Sequence, residues 1–132
     1  MSRVVKVGDL MSTALIVIRD SDSIGAADAQ MKLGAIRHIP VVDPKQNLVG
    51  ILSAGDVLLA LARGKKLVRV GETMTRNPVT VTPDTPVHEA IELLLEHRFG
   101  SLPVLGTDGH LMGIVTDTDF LAAARDVFTP PR

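Results

Sequence analysis

With 132 residues, 14 basic and 15 acidic side chains and a net charge of −1, the chain fits one compact domain, or two small halves sharing one core. That balance gives no electrostatic grip on nucleic acid or an anionic membrane, and three Phe without Trp or Tyr leave no base- or sugar-stacking platform. Cysteine is absent, which excludes disulfides, thiolate metal sites and cysteine nucleophiles.

Arg3 and Lys6 precede the apolar run Ala14 to Ile18, which is too short for a signal-peptide core and ends on Arg19-Asp20. No apolar stretch approaches the ~18 residues of a membrane span, so the expectation is a cytoplasmic protein. The β-branched stretch Leu15-Ile16-Val17-Ile18 predicts a strand. A helix follows, with Asp22 in the cap place, Ile24, Ala27 and Met31 on one face, and a stop near Gly34. Next come a strand through Ile39–Val42, a turn at Asp43-Pro44-Lys45-Gln46-Asn47, a strand Leu48–Leu52 and a closing helix from about Ala54 to Arg63. Gly64-Lys65-Lys66-Leu67-Val68-Arg69 then reads as a solvated linker, or as a basic segment that attracts phosphates.

The same order returns 63 residues on. Val79-Thr80-Val81 predicts a strand, and Thr85 with Pro86 predicts an N-cap and first helical residue. Ile91, Leu94 and Leu95 line the helix that follows, which should stop near Gly100. Strands Leu102–Leu105 and Leu111–Val115 flank the turn Gly106-Thr107-Asp108-Gly109, and a last helix runs from about Asp117 to Arg125. The tail Thr129-Pro130-Pro131-Arg132 reads as frayed. The offset pairs Pro40 with Pro103, Met11 with Met74, Gly50-Ile51 with Gly113-Ile114, and Asp56 with Asp119. About a dozen positions between Val7 and Ala62 repeat without a gap, where chance would give roughly four. The expected fold is α+β (α/β): two tandem βαββα units, 7–63 and 70–126, with a linker at 64–69 and a tail at 127–132. One unit is too small to cover its own sheet, so the halves should pack through their apolar faces.

Chemistry concentrates at the exit of the third strand of each copy, Gly50-Ile51-Leu52-Ser53-Ala54-Gly55-Asp56 and Gly113-Ile114-Val115-Thr116-Asp117-Thr118-Asp119. A hydroxyl residue followed three positions later by Asp is the spacing of a capping box. The same geometry serves a ligand, because a helix N-terminus offers free N–H groups to a phosphate and a neighbouring Asp can accept both hydroxyls of a ribose. The two roles are compatible.

The doubled unit, the Pro within the second strand, and the GILSAGD and GIVTDTD segments resemble the CBS domain, named after cystathionine β-synthase, over residues 7–125. Two in tandem form a Bateman module, whose halves are related by a pseudo-two-fold. The resemblance implies regulatory binding of adenosine-containing ligands (AMP, ADP or ATP, also NAD or S-adenosylmethionine) in the cleft between the halves, with no required cofactor. It implies that Ser53 with Asp56, and Thr116 with Asp119, hold phosphate and ribose. The adenine pockets would be lined by Thr13, Ala14, Leu15, Ile16 and Ile39 before Pro40, and by Asn77, Pro78, Val79 and Leu102 before Pro103. Arg37-His38 stands beside the first site where Gly100-Ser101 stands beside the second; family members that bind phosphorylated ligands place basic side chains there. That asymmetry gives the first site a preference for more phosphate charge, unless Arg37 is simply solvated and His38 packs on the surface.

The resemblance further implies a homodimer of modules and an unidentified effector protein, since a module this small would carry no effector domain of its own. A module that dimerises and docks with empty clefts is the alternative. Four histidines (His38, His88, His97, His110) lack metal-ligand spacing, no nucleophile-and-base set appears, and Gly106–Gly109 has neither the length nor the Lys of a P-loop. Met31, Met74 and Met112 read as core fillers. The expectation is a binding module and not an enzyme, with no catalytic or metal-ligating residue.

Overall fold

The computed structural model describes residues 5–131; Arg3 and Arg132 lie outside them. In chain order the elements are α1 (Val7–Leu10), β1 (Ile18–Arg19), α2 (Ile24–Gly34), β2 (His38–Val42), β3 (Leu48–Ser53), α3 (Ala54–Ala62), a 3-10 turn (Val70–Glu72), β4 (Thr75–Arg76), α4 (Val87–His97), β5 (Ser101–Leu105), β6 (Leu111–Thr116) and α5 (Asp117–Phe128). The chain divides into two compact units. One is Ile16–Pro78; the other joins the N-terminal segment through Leu15 to everything from Val79 on. These divisions do not coincide with the sequence repeat, because the opening stretch of each copy is built into the other copy's body.

In the unit Ile16–Pro78 a four-stranded sheet runs in the order β1-β2-β3-β4. β2 and β3 form an antiparallel hairpin from His38 opposite Ser53 to Val42 opposite Leu48. β1 adds in parallel at Ile18 opposite Val41, and β4 adds antiparallel at Ile51 opposite Thr75. The other unit repeats this around β5 and β6, with the flanking strands reduced to single bridges, Val81 to Val104 and Ser12 to Ile114. Both hairpins slip register at the same place, between Val41 and Val42 and between Val104 and Leu105.

Pro103 costs the β5–β6 ladder nothing. Pro103 O accepts from Val81 N–H at 3.1 Å and Leu105 N–H donates to Val81 O at 2.9 Å, so the missing donor of Pro103 faces the outer side, away from β6. Gly50 and Gly113 are required for a different reason. A Cβ on Gly50 would stand 2.8 Å from Thr75 O, and one on Gly113 would stand 2.7 Å from Ser12 O. Only a residue without a side chain lets those segments pair with the hairpin.

Each unit has its own core. Ile24, Ala27, Ile39, Val41 and Leu52 are fully buried in one; Val7, Ala90, Leu102, Val104 and Val115 are fully buried in the other. Ile24, Ala27 and Met31 form the expected buried face of α2. On α4 the buried face is Ala90 and Leu94, while Leu95 is 74% exposed and Ile91 also lies outside the core. The i to i+4 pair that packs is thus one residue earlier than the apolar pattern suggests, because both neighbouring positions are apolar too. Met31 and Met74 fill the core as expected; Met112 is exposed.

Other boundaries also shift. The strands expected at Leu15–Ile18 and Val79–Val81 shrink to Ile18–Arg19 and a bridge at Val81. Leu15 N–H donates to Thr13 O, which turns the chain, and Asn77 sits in the left-handed region at φ 49°. The α2 cap is Ser23, whose hydroxyl accepts from Ala26 N–H at 3.1 Å; Asp22 instead accepts from Arg19 N–H. Thr85 does the same in the second copy, accepting from Thr82 N–H, so Pro86 takes the cap position and α4 begins at Val87. The helix expected to stop near Gly100 ends at His97, on a left-handed Arg98 at φ 57° that matches Ala35 at φ 51° in the first copy. α2 ends at Gly34 as expected, but in neither copy is the left-handed residue that follows the helix a glycine. At the other end of the chain, α5 extends through Phe128, past the expected end at Arg125.

Candidate functional site

Each hairpin delivers the residues before its first strand to the helix that leaves its second. His38 stands opposite Ser53 at the open end of β2–β3, and Ala54 N–H donates to Arg37 O at 2.7 Å. Ser101 stands opposite Thr116, and Asp117 N–H donates to Gly100 O at 3.0 Å. Arg37-His38 is thereby fixed beside the N-terminus of α3, and Gly100-Ser101 beside that of α5.

The capping box forms in both copies. Asp56 N–H donates to Ser53 Oγ at 3.1 Å, and Ser53 N–H donates to Asp56 Oδ2 at 3.0 Å. In the second copy Asp119 N–H donates to Thr116 Oγ1 at 3.4 Å, Thr116 N–H donates to Asp119 Oδ2 at 2.8 Å, and the Thr116 hydroxyl lies 3.2 Å from the same oxygen. Capping therefore occupies one oxygen of each carboxylate. Among the described residues Oδ1 of Asp56 and of Asp119 receives no hydrogen bond, and both side chains are half-buried. Each carboxylate keeps an acceptor in hand at a helix N-terminus.

The remaining site candidates fall into two kinds. Ile39, Pro40, Leu102 and Pro103 are fully buried, so their side chains build the core and main chain is what they offer a ligand. Thr13, Ala14, Asn77 and Arg37 are exposed, and Leu15, Ile16, Pro78 and Val79 are partly so. Ser101 is buried at 6% exposure. Ile16 packs on the end of α2: a Cβ on Gly34 would meet Ile16 Cδ1 at 2.7 Å. Within the unit Ile16–Pro78 the structure gathers Arg37, His38, Ser53 and Asp56. Within the other it gathers Ser101, Thr116 and Asp119. Thr13, Ala14 and Leu15, expected with the first set, belong to the unit of the second; Asn77 and Pro78, expected with the second, belong to the unit of the first.

Charge separates the two helix entrances. Arg37 is exposed and makes no ion pair among the described residues, and its backbone is held at the start of α3. At α5 the corresponding position is Gly100, and Asp117 adds a carboxylate where α3 has Ala54. The first turn of each helix carries the positive end of the helix dipole, which Asp56 and Asp119 partly complement. Among the described residues no group of His, Asp and Glu is clustered to hold a metal ion, and no helix is long and apolar enough to cross a membrane.

The sequence pattern of the CBS domain matches residues 7–63 and again residues 70–126. A CBS domain-containing protein of Dictyostelium discoideum is 33% identical over 138 residues, covering 96% of this chain and 95% of that one. Among solved structures, the CBS domain pair of protein MJ0100 in complex with 5′-methylthioadenosine and S-adenosyl-L-methionine superposes with a TM-score of 0.88 at 30% identity, over 95% of this chain and 99% of that one. Protein CBSX2 in complex with AMP superposes with a TM-score of 0.80 at 32% identity and the same coverage. Enzymes also match, but only in part. The homoserine O-acetyltransferase of Methanosphaerula palustris is 31% identical over 110 residues, which is 22% of its length.

Proposed function

The chain belongs to the CBS domain family, and from that premise we propose that it is a regulatory module that binds adenosine-containing ligands. The observation that carries the reading is the pair of helix entrances. Each combines a capped first turn with a carboxylate whose second oxygen is open, on a fold that binds AMP in CBSX2, and 5′-methylthioadenosine and S-adenosylmethionine in MJ0100. Ser53 with Asp56 and Thr116 with Asp119 hold the ribose and, where the ligand carries one, its phosphate. Ile16 with Ile39 in one unit, and Val79 with Leu102 in the other, supply the adenine side. Arg37 and His38 favour the more phosphorylated ligand in the first copy.

Binding raises the population of one conformation or assembly state, and a partner protein responds to that state. A homodimer of modules is part of the proposal, and the exposed apolar residues Leu58 and Leu59 on α3 and Leu121 and Phe128 on α5 support it. The chemistry asked of the protein is binding, not catalysis.

A thermal-shift panel of AMP, ADP, ATP, NAD and S-adenosylmethionine tests the reading. A ligand at 100 times its Kd should stabilise the fold by about 2.7 kcal/mol. In a domain of this size that raises Tm by several degrees. Flat curves across the panel would favour the module that dimerises and docks without ligand.

A further inference from the structure

Of the first three amides at each helix entrance, one differs between the copies. In both copies the first amide of the helix is taken by the residue before the hairpin (Ala54 by Arg37 O, Asp117 by Gly100 O). The third is taken by the capping hydroxyl. The second is not alike. Gly55 N–H has no partner among the described residues, and a Cβ on Gly55 would meet nothing nearer than Ser53 Oγ at 3.7 Å. Thr118 N–H, its counterpart, donates to Oδ1 of Asp117 at 2.8 Å.

We infer that Asp117 determines the specificity of the second copy: α3 receives a phosphate-bearing adenosyl ligand, whereas α5 receives an adenosyl ligand without phosphate. This rests on the ligand-binding reading above. A phosphate arriving at α3 finds an open N–H, the positive end of the dipole and Arg37 beside it, with no competing acid on the first helical residue. At α5 the same amide is already satisfied by a carboxylate, so a phosphate must displace that hydrogen bond and accept a like charge within a few ångströms. A nucleoside, a neutral thioether or a sulfonium cation pays neither penalty, and a cation gains from the acid. The wider charge distribution agrees, since basic side chains are in excess in the unit Ile16–Pro78 and acidic ones in the other.

The test is calorimetric titration of the full chain and its Asp117→Ala and Asp117→Asn variants, with AMP and with adenosine as probes. Asp117 is exposed, so both variants should fold as the parent does. The parent should take AMP at one site per chain. Asp117→Ala should add a second AMP site, its affinity rising at least about tenfold, as one removed like charge predicts. Adenosine affinity should change less than about twofold. Asp117→Asn, which can still accept from Thr118 N–H without the charge, should recover part of the AMP gain. Unchanged AMP binding in both variants, or an equal gain for adenosine, would overturn the inference. Failure of the parent to bind either probe would instead sink the ligand-binding reading itself.

Discussion

Ser12 and Ile114 exchange both of their backbone hydrogen bonds, Ser12 N–H to Ile114 O at 2.9 Å and Ile114 N–H to Ser12 O at 3.0 Å. Sixty-three residues on, Thr75 stands opposite Ile51 in the same way. The pattern continues outward from these pairs. Val7 N–H donates to Thr85 O and Val70 N–H to Asp22 O; Gly8 N–H donates to Pro83 O and Gly71 N–H to Asp20 O. The start of each sequence repeat thus completes the sheet and core of the other copy's hairpin. Neither copy is a closed fold on its own.

If these exchanged segments are part of the core, Val7 and Val70 should matter as much as hairpin residues. Both are fully buried. Val7→Ala and Val70→Ala should each destabilise by about 2 kcal/mol, from lost burial plus the cavity left behind. Val104→Ala is the reference, and urea unfolding reads all three. A loss below half a kilocalorie at Val7 or Val70 would show that the segment is peripheral.

The close approach at Gly50 and Gly113 predicts that Ala is not tolerated there. A methyl group must displace Thr75 O or Ser12 O, costing about 1–3 kcal/mol as for other overpacked sites. Gly55→Ala supplies the contrast: its methyl makes only an ordinary contact, with Ser53 Oγ at 3.7 Å, and the helix position favours Ala over Gly. Chemical denaturation should show the first two variants weakened and the third not.

The hairpin turns predict a pH dependence. Asn47 N–H holds the Asp43 carboxyl below the ordinary carboxylate range, and His110 N–H does the same for Asp108, each aided by the neighbour's side chain. A carboxyl depressed in the folded state stabilises the fold above its unfolded value, and that contribution disappears as pH falls through the folded value. The loss should begin near pH 4 and continue below it. Asp43 is partly exposed and Asp108 exposed, so the effect is modest and weakens with salt. The Asp43→Ala, Asp108→Ala double variant should show a shallower decline in Tm between pH 5 and 2.5; an unchanged slope would contradict the assignment.

Arg37 and His38 predict a ligand-selective loss. Replacing both by Ala should weaken ATP more than AMP, and AMP more than adenosine, because the removed charge acts on phosphate. Competition binding with the three ligands reads the order. Equal affinities before and after the change would leave Arg37 as a solvated surface residue.

Much of this was legible in the residues. The 63-residue offset, Pro40 with Pro103, and the Ser/Thr-x-x-Asp segments announced two hairpin-and-helix units and their capping boxes. The exchange of opening segments was not legible, because an offset reports that copies are alike and not which copy a stretch packs against. The left-handed conformation of Ala35 and Arg98 escaped because glycine is its usual marker and neither position carries it. The open amide at Gly55 was also hidden. Sequence shows Asp117 where Ala54 stands, but only the fold shows its carboxylate closing on Thr118 N–H.

The most direct measurement of the central claim is calorimetric titration of AMP into the full chain and into its Asp56→Ala, Asp119→Ala double variant. The account predicts saturable binding to the parent and none to the double variant, with both chains folded by circular dichroism. No saturable binding to the parent, or the same affinity in the double variant, would contradict it.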